Sequence, residues 1–97
     1  MTINYHGNEL LSPAIEGMCA KKIKKLEKFE KDEFVIDVFL SKSGRDYEMK
    51  MTLKNNMNDL ISKAKSEDMY KNIDICVDSL KSQLVENKPV DKAHRGA

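Results

Sequence analysis

Lys22, Lys25 and Lys28 recur at i, i+3 and i+6, a spacing that sets three ammonium groups along one flank of a helix. Such a row fits successive phosphates of a nucleic-acid backbone, because each contact exchanges a condensed counterion for a protein charge. The surrounding stretch is basic: between residues 20 and 31, Lys21, Lys22, Lys24, Lys25, Lys28 and Lys31 face only Glu27 and Glu30. That is a local excess of four positive charges in a chain whose formal net charge is +1. At about 100° per residue Lys22 falls near the middle of the segment's apolar stripe, while Lys25 and Lys28 wind away along its edge. A lysine in a core stripe is costly unless its ammonium reaches water or an anion. A lysine face kept for solubility has the same composition, so charge alone leaves both readings open. Between residues 67 and 88 the balance reverses, with Lys71, Lys81 and Lys88 against Glu67, Asp68, Asp74, Asp78 and Glu86.

Other groups that carry chemistry lack partners. No serine, cysteine or lysine nucleophile has an evident base beside it, His6 and His94 lie near opposite ends, and no glycine-rich phosphate loop occurs. No enzymatic activity and no cofactor are expected. Cys19 and Cys76 have no second Cys or His at chelating spacing, which excludes a sequence-local metal site, and both fall on apolar helical faces as buried, reduced thiols would. Tyr70 and Phe39 offer rings on which bases could stack; packing against the sheet or a strand neighbour is the simpler use of both. Met49, Met51, Met57 and Met69 sit at core-compatible positions. No apolar run approaches the ~20 residues of a membrane span and no basic-then-apolar leader opens the chain, so a cytoplasmic location without membrane contact is expected.

With 97 residues, 40% hydrophobic and 34% charged, the chain has room for one two-layer core. Ile3 and Tyr5 alternate with polar neighbours as a short strand. Ser12-Pro13 then supplies an N-cap and a proline at the first helical position, opening a helix predicted to run to about Lys31 on the stripe Ile15, Met18, Cys19, Ile23, Leu26 and Phe29. Phe34 to Leu40 places Phe34, Ile36, Val38 and Leu40 on one face of a strand. Ser43-Gly44 is predicted to turn, and Tyr47, Met49, Met51 and Leu53 alternate with charged or polar residues in the next strand. Asn55-Asn56 suits a tight hairpin turn at positive φ, and Met57 to Lys65 returns as a third antiparallel strand. Ser66-Glu67-Asp68 caps a helix carrying Met69, Ile73, Cys76, Val77, Leu80 and Leu84 and ending near Asn87; residues 89–97 are expected to form a flexible tail. The order β-α-β-β-β-α, with strands one and two parallel across a right-handed helical crossover, predicts an α+β fold. It is a two-layer arrangement of a four-stranded mixed sheet with two helices on one face.

Set on these elements, Gly7-Asn8, Ser12-Pro13-Ala14, Lys25-Leu26-Glu27-Lys28, Glu67-Asp68-Met69-Tyr70 with Ile73 behind it, and Gln83-Leu84 resemble the short form of the bacterial ribosome hibernation-promoting factors. The likeness covers residues 1 to about 88, read as the ribosome-binding domain. It implies the same β-α-β-β-β-α fold and a non-enzymatic inhibitor of translation. Such a protein binds ribosomal RNA in the decoding channel of the small subunit and excludes messenger and transfer RNA by occlusion. It also implies RNA contacts from basic side chains on both helices. Lys22, Lys25 and Lys28 match the first helix; in the second, Ser79, Ser82 and Glu86 stand where relatives usually carry lysine or arginine. Lys42, Arg45, Lys81 and Lys88 are weaker candidates. A dimerisation domain of the long members is not encoded in these residues, so a monomer in isolation is expected, with no small-molecule substrate. Relatives labelled modulators of an alternative sigma factor motivate a second reading, a protein-binding regulatory module with weak or no ribosome binding.

Overall fold

The computed structural model describes residues 1–7, 9–56 and 59–86. Chain order is β1 (Thr2–His6), α1 (Pro13–Ile23), a 3₁₀ segment η1 (Lys24–Phe29), β2 (Val35–Ser43), β3 (Asp46–Lys54), β4 (Asp59–Ser66) and α2 (Met69–Glu86). The four strands form one sheet in the order β1-β2-β3-β4, with β1 parallel to β2 and the other pairs antiparallel. This is the predicted α+β architecture. The expected tail, Lys88 and Met57 lie outside the described residues.

Alternation decides which face of the sheet is dry. Ile36, Val38 and Leu40 of β2, Met49, Met51 and Leu53 of β3, and Leu60 and Ala64 of β4 are buried against Cys19, Ile23 and Leu26 of the first helical segment and Ile73, Cys76, Val77, Leu80 and Leu84 of α2. The intervening strand residues face away from the helices. A buried polar group ties the layers: Asn72 Nδ2 donates to the Tyr47 carbonyl at 2.8 Å, and Ser66 Oγ donates to Asn72 Oδ1 at 2.8 Å.

Both helix starts follow the capping logic of their sequences. Ser12 Oγ accepts from Ile15 N–H at 3.2 Å with Pro13 in the first turn, and Asp68 Oδ1 accepts from Tyr70 N–H at 2.9 Å. The first helix departs from expectation beyond Ile23, where the chain tightens to 3₁₀ geometry instead of continuing as α-helix to Lys31. The cause lies in the apolar spacing. Ile23, Leu26 and Phe29 recur every three residues, and with three residues per turn they stack in one line against the core. An α-helix would rotate each successive member away.

Two turns also differ. The β2–β3 hairpin closes on Gly44-Arg45, one residue later than predicted, because Ser43 pairs with Asp46 and Gly44 takes φ +63°, the positive value a two-residue hairpin needs at its first central position. Neither Asn55 nor Asn56 has positive φ; β3 and β4 pair as far as Lys54 with Asp59, so residues 55–58 make a four-residue connection, a length normally built without positive φ at its start.

Burial removes the cysteines from solution chemistry. The Cys19 thiol is pushed up to about 11, chiefly by desolvation with the neighbouring Cys76 adding to it, and Cys76 is raised by the same burial. Native protein at pH 8 is therefore expected to leave both thiols unmodified by a chromogenic disulfide reagent over minutes, and denaturant to release two reactive thiols per chain. Rapid labelling without denaturant would contradict this packing.

Candidate nucleic-acid interface

The strand and helix directions set where each basic residue stands. Contacts from Asn72 to Tyr47 and from Cys76 to Met49 advance together along α2 and β3, so α2 runs parallel to β3 and back over β4. Since α1 must return over the sheet to connect the parallel strands β1 and β2, the two helices run side by side in the same direction.

Lys22 is half-buried between them, and its Nζ lies 3.1 Å from Asp74 Oδ1 of α2. The burial matches the position near the core stripe; the carboxylate is what the sequence did not reveal. The Lys22 charge is already matched, and a phosphate there would compete with Asp74. Lys25 and Lys28 are different. They are exposed and, among the described residues, neither forms an ion pair. The 3₁₀ geometry that lines up Leu26 with Phe29 also lines up Lys25 with Lys28, since residues three apart eclipse in this helix. Lys28 Nζ lies 5.5 Å from the Phe29 ring centroid, and Leu26 is buried below. Lys28 thus lies against an apolar ring.

On α2, Lys81 follows Asp74 by seven residues, about two turns, so it shares the flank that meets the first helix. By rise alone it stands about level with Lys28, which is six residues beyond Lys22. Lys81 therefore stands on the α2 flank turned toward the exposed Lys25 and Lys28, with the exposed Asp78 about one turn before it. Ser79 lies on the opposite flank of α2, where Gln83 donates to the Ile61 carbonyl of the edge strand β4 at 2.9 Å and to Ser79 Oγ at 3.3 Å; Ser82 is exposed on the outward face of the helix.

Lys42 and Arg45 do not join this group. They occupy the end of β2 and the β2–β3 turn, roughly 26 Å along the strand from its start beside η1. Lys42 Nζ instead lies 5.1 Å from the Tyr47 ring centroid.

The sheet face away from the helices carries a second cluster absent from the sequence expectations. His6 and Phe39 are register partners on β1 and β2, and their rings stack at 4.4 Å between centroids and 13° between planes. His6 Nε2 donates to Asp37 Oδ1 at 3.0 Å; this hydrogen bond is the largest cause holding the Asp37 carboxyl below the usual carboxylate range. Phe39 thus packs on a strand neighbour yet stays on the solvent side, and Tyr70 is exposed on α2. Outward alternation in β1 and β2 was a signal for this pair, but the register that brings them together was not. No group of three His, Cys, Asp or Glu able to hold a metal ion occurs among the described residues, and no described helix is long and apolar enough to cross a membrane.

A sequence-family model described as Sigma 54 modulation protein / S30EA ribosomal protein matches residues 2–89. Two solved structures share the fold: the N-terminal domain of Protein Y from Thermus thermophilus (TM-score 0.81, 22% identity, covering 91% of this chain and 100% of that one) and a ribosomal subunit interface protein from Coxiella burnetii (TM-score 0.78, 22% identity, covering 89% and 96%).

Proposed function

The chain belongs to the sigma 54 modulation protein / S30EA ribosomal protein family, and on that premise we propose that it is a non-catalytic translation inhibitor acting on the ribosome in the cytoplasm. It binds ribosomal RNA in the decoding channel of the small subunit as a single copy and excludes messenger and transfer RNA by occupying their path. The observation that carries this reading is the column of exposed Lys25 and Lys28 on η1, with Lys81 beside it and no carboxylate paired to any of the three among the described residues.

Physically, a chain with net charge +1 has little long-range attraction for RNA, so affinity must come from contact within a Debye length, about 8 Å at physiological salt. Three exposed ammonium groups on a rigid edge supply such contact, each releasing condensed counterions from the RNA backbone. Steric occlusion then needs no moving part and no reaction. A folded domain held in a channel that single-stranded messenger must thread is sufficient.

Competition tests this reading. Small subunits loaded with messenger and transfer RNA are expected to exclude the protein, and subunits loaded first with the protein to refuse both RNAs, as read by co-sedimentation at low salt. Simultaneous occupancy by all three would defeat occlusion, and absence of the folded protein from the ribosomal pellet at low salt would defeat ribosome binding itself.

A further inference from the structure

One row crosses the solvent face of the sheet from edge to edge. The registers His6 to Phe39, Phe39 to Lys50 and Lys50 to Lys63 set these four side chains abreast on the four strands. Lys50 Nζ lies 4.9 Å from the Phe39 ring centroid, so the Phe39 ring is held between His6 on one face and an ammonium group on the other. Beyond it the face opens into a shallow concavity of about 530 Å³ bordered by Phe39, Ser41, Glu48, Lys50, Lys63 and Lys65. His6 does not border it. The concavity therefore adjoins the Phe39 face that Lys50 covers.

The charges here are unbalanced in a particular way. Both carboxylates nearest the row already have partners, Asp37 a hydrogen bond from His6 at 3.0 Å and Glu48 an ion pair with Lys65 at 3.6 Å. Lys50 and Lys63 stand directly opposite each other on adjacent strands, and neither has an ion pair among the described residues. Like charges in that position repel, and an anion between them turns the repulsion into attraction.

We infer that this row is a second RNA-contact surface, separate from the η1 lysines, which holds one unstacked base of a single-stranded RNA on the Phe39 ring and the adjoining phosphate between Lys50 and Lys63. A base entering the concavity displaces the Lys50 ammonium from the ring. That exchange is favourable, because an exposed cation–π contact is worth about two- to fivefold in affinity and a stacked base about five- to 150-fold. The freed ammonium moves onto the phosphate. His6 backs the ring from behind, fixed by Asp37, so the platform is rigid before RNA arrives. Duplex RNA is excluded as the ligand, since its bases are paired and already stacked.

The natural ligand rests on the ribosomal reading above; the surface chemistry does not, and the test separates the two. Isotope-labelled full-length protein is titrated with a short oligouridylate and followed by amide chemical shifts, with affinities measured for the parent chain, Phe39→Ala, Lys63→Glu and the Lys25→Glu/Lys28→Glu double variant. Shifts are expected at His6, Phe39, Lys50 and Lys63. Phe39→Ala is expected to weaken binding about tenfold, and Lys63→Glu to weaken it as well while leaving the His6–Phe39 stack in place. The double variant is expected to keep the sheet-face shifts. Absence of those shifts, or equal affinity for Phe39→Ala and the parent chain, overturns the inference, as does a sheet face perturbed by a ribosomal protein and not by the oligouridylate. Sheet-face shifts in a protein that fails to bind ribosomes would sustain this inference and sink the ribosomal one.

Discussion

Replacing Lys25 and Lys28 together with glutamate is expected to lower affinity for the small ribosomal subunit by about 10²- to 10³-fold near 0.1 M salt, with the fold intact. Two phosphate contacts are lost and two repulsive charges take their place, each contact being worth roughly one power of ten under these conditions. Stability is expected to change little. Both side chains are exposed, and among the described residues neither forms an ion pair; surface substitutions away from such features normally fall within about ±0.5 kcal/mol. The informative contrast is Lys22→Gln. From spacing alone Lys22 is the equal of the other two, but its charge is already engaged by Asp74 at 3.1 Å. Its loss is expected to weaken ribosome binding about threefold or less, as suits an ammonium already matched. Equal losses at Lys22 and at Lys25 would contradict this arrangement of charges.

The largest expected effect on stability comes from a residue with no side chain. Gly7 ends β1 at φ +101°, a region that L-residues rarely adopt, and a Cβ there would fall on the Leu40 carbonyl oxygen at less than 3.0 Å. Gly7→Ala therefore combines backbone strain of about 1–3 kcal/mol with a steric conflict of similar size between β1 and β2. A total of about 3–5 kcal/mol is expected, and at about 4–8 °C per kcal/mol for a domain of this size, a Tm lower by about 15 °C or more. Gly17→Ala is the control with opposite sign. Gly17 is exposed in the middle of α1, and no neighbouring atom lies within 4 Å of the place a Cβ would take, so the change is expected to stabilise by about 0.5–1 kcal/mol through helix propensity. Thermal and urea unfolding of the two variants measures both. A neutral Gly7→Ala would mean that β1 does not close against Leu40.

The fold was legible because its signals were local and redundant. Alternation in β2 and β3, the Ser12-Pro13 cap and the apolar stripe of α2 each named an element, and the lengths of the connections left one topology. What escaped was finer than the α/β distinction. The period-three line Ile23, Leu26 and Phe29 satisfies a helical pattern of either pitch over so short a span, and only packing against the sheet selects 3₁₀. The two asparagines of the β3–β4 connection advertise positive φ but do not require it; the length of the loop decides.

The candidate interface was legible only in outline. The lysines were visible, and so was the awkward position of Lys22 in the stripe. Its partner was not, because Asp74 is 52 residues away in sequence and meets it only through the parallel alignment of two helices. The same limit hid the sheet-face row. His6, Phe39, Lys50 and Lys63 lie on four different strands, and nothing short of the full register sets them side by side. Lys81 could be placed on a helix but not on the flank that faces η1, which depends on how α2 is rotated over its buried stripe.

A salt titration of small-subunit binding puts the lysine column to its most direct test. Affinity is measured over a range of monovalent salt for the parent chain and for Lys25→Gln/Lys28→Gln, which removes the charges without reversing them. The slope of log affinity against log salt is expected to become shallower by about 1.5–2 in the variant, the share of two released phosphate contacts. Parallel lines of equal slope would show that those two ammonium groups do not touch the RNA.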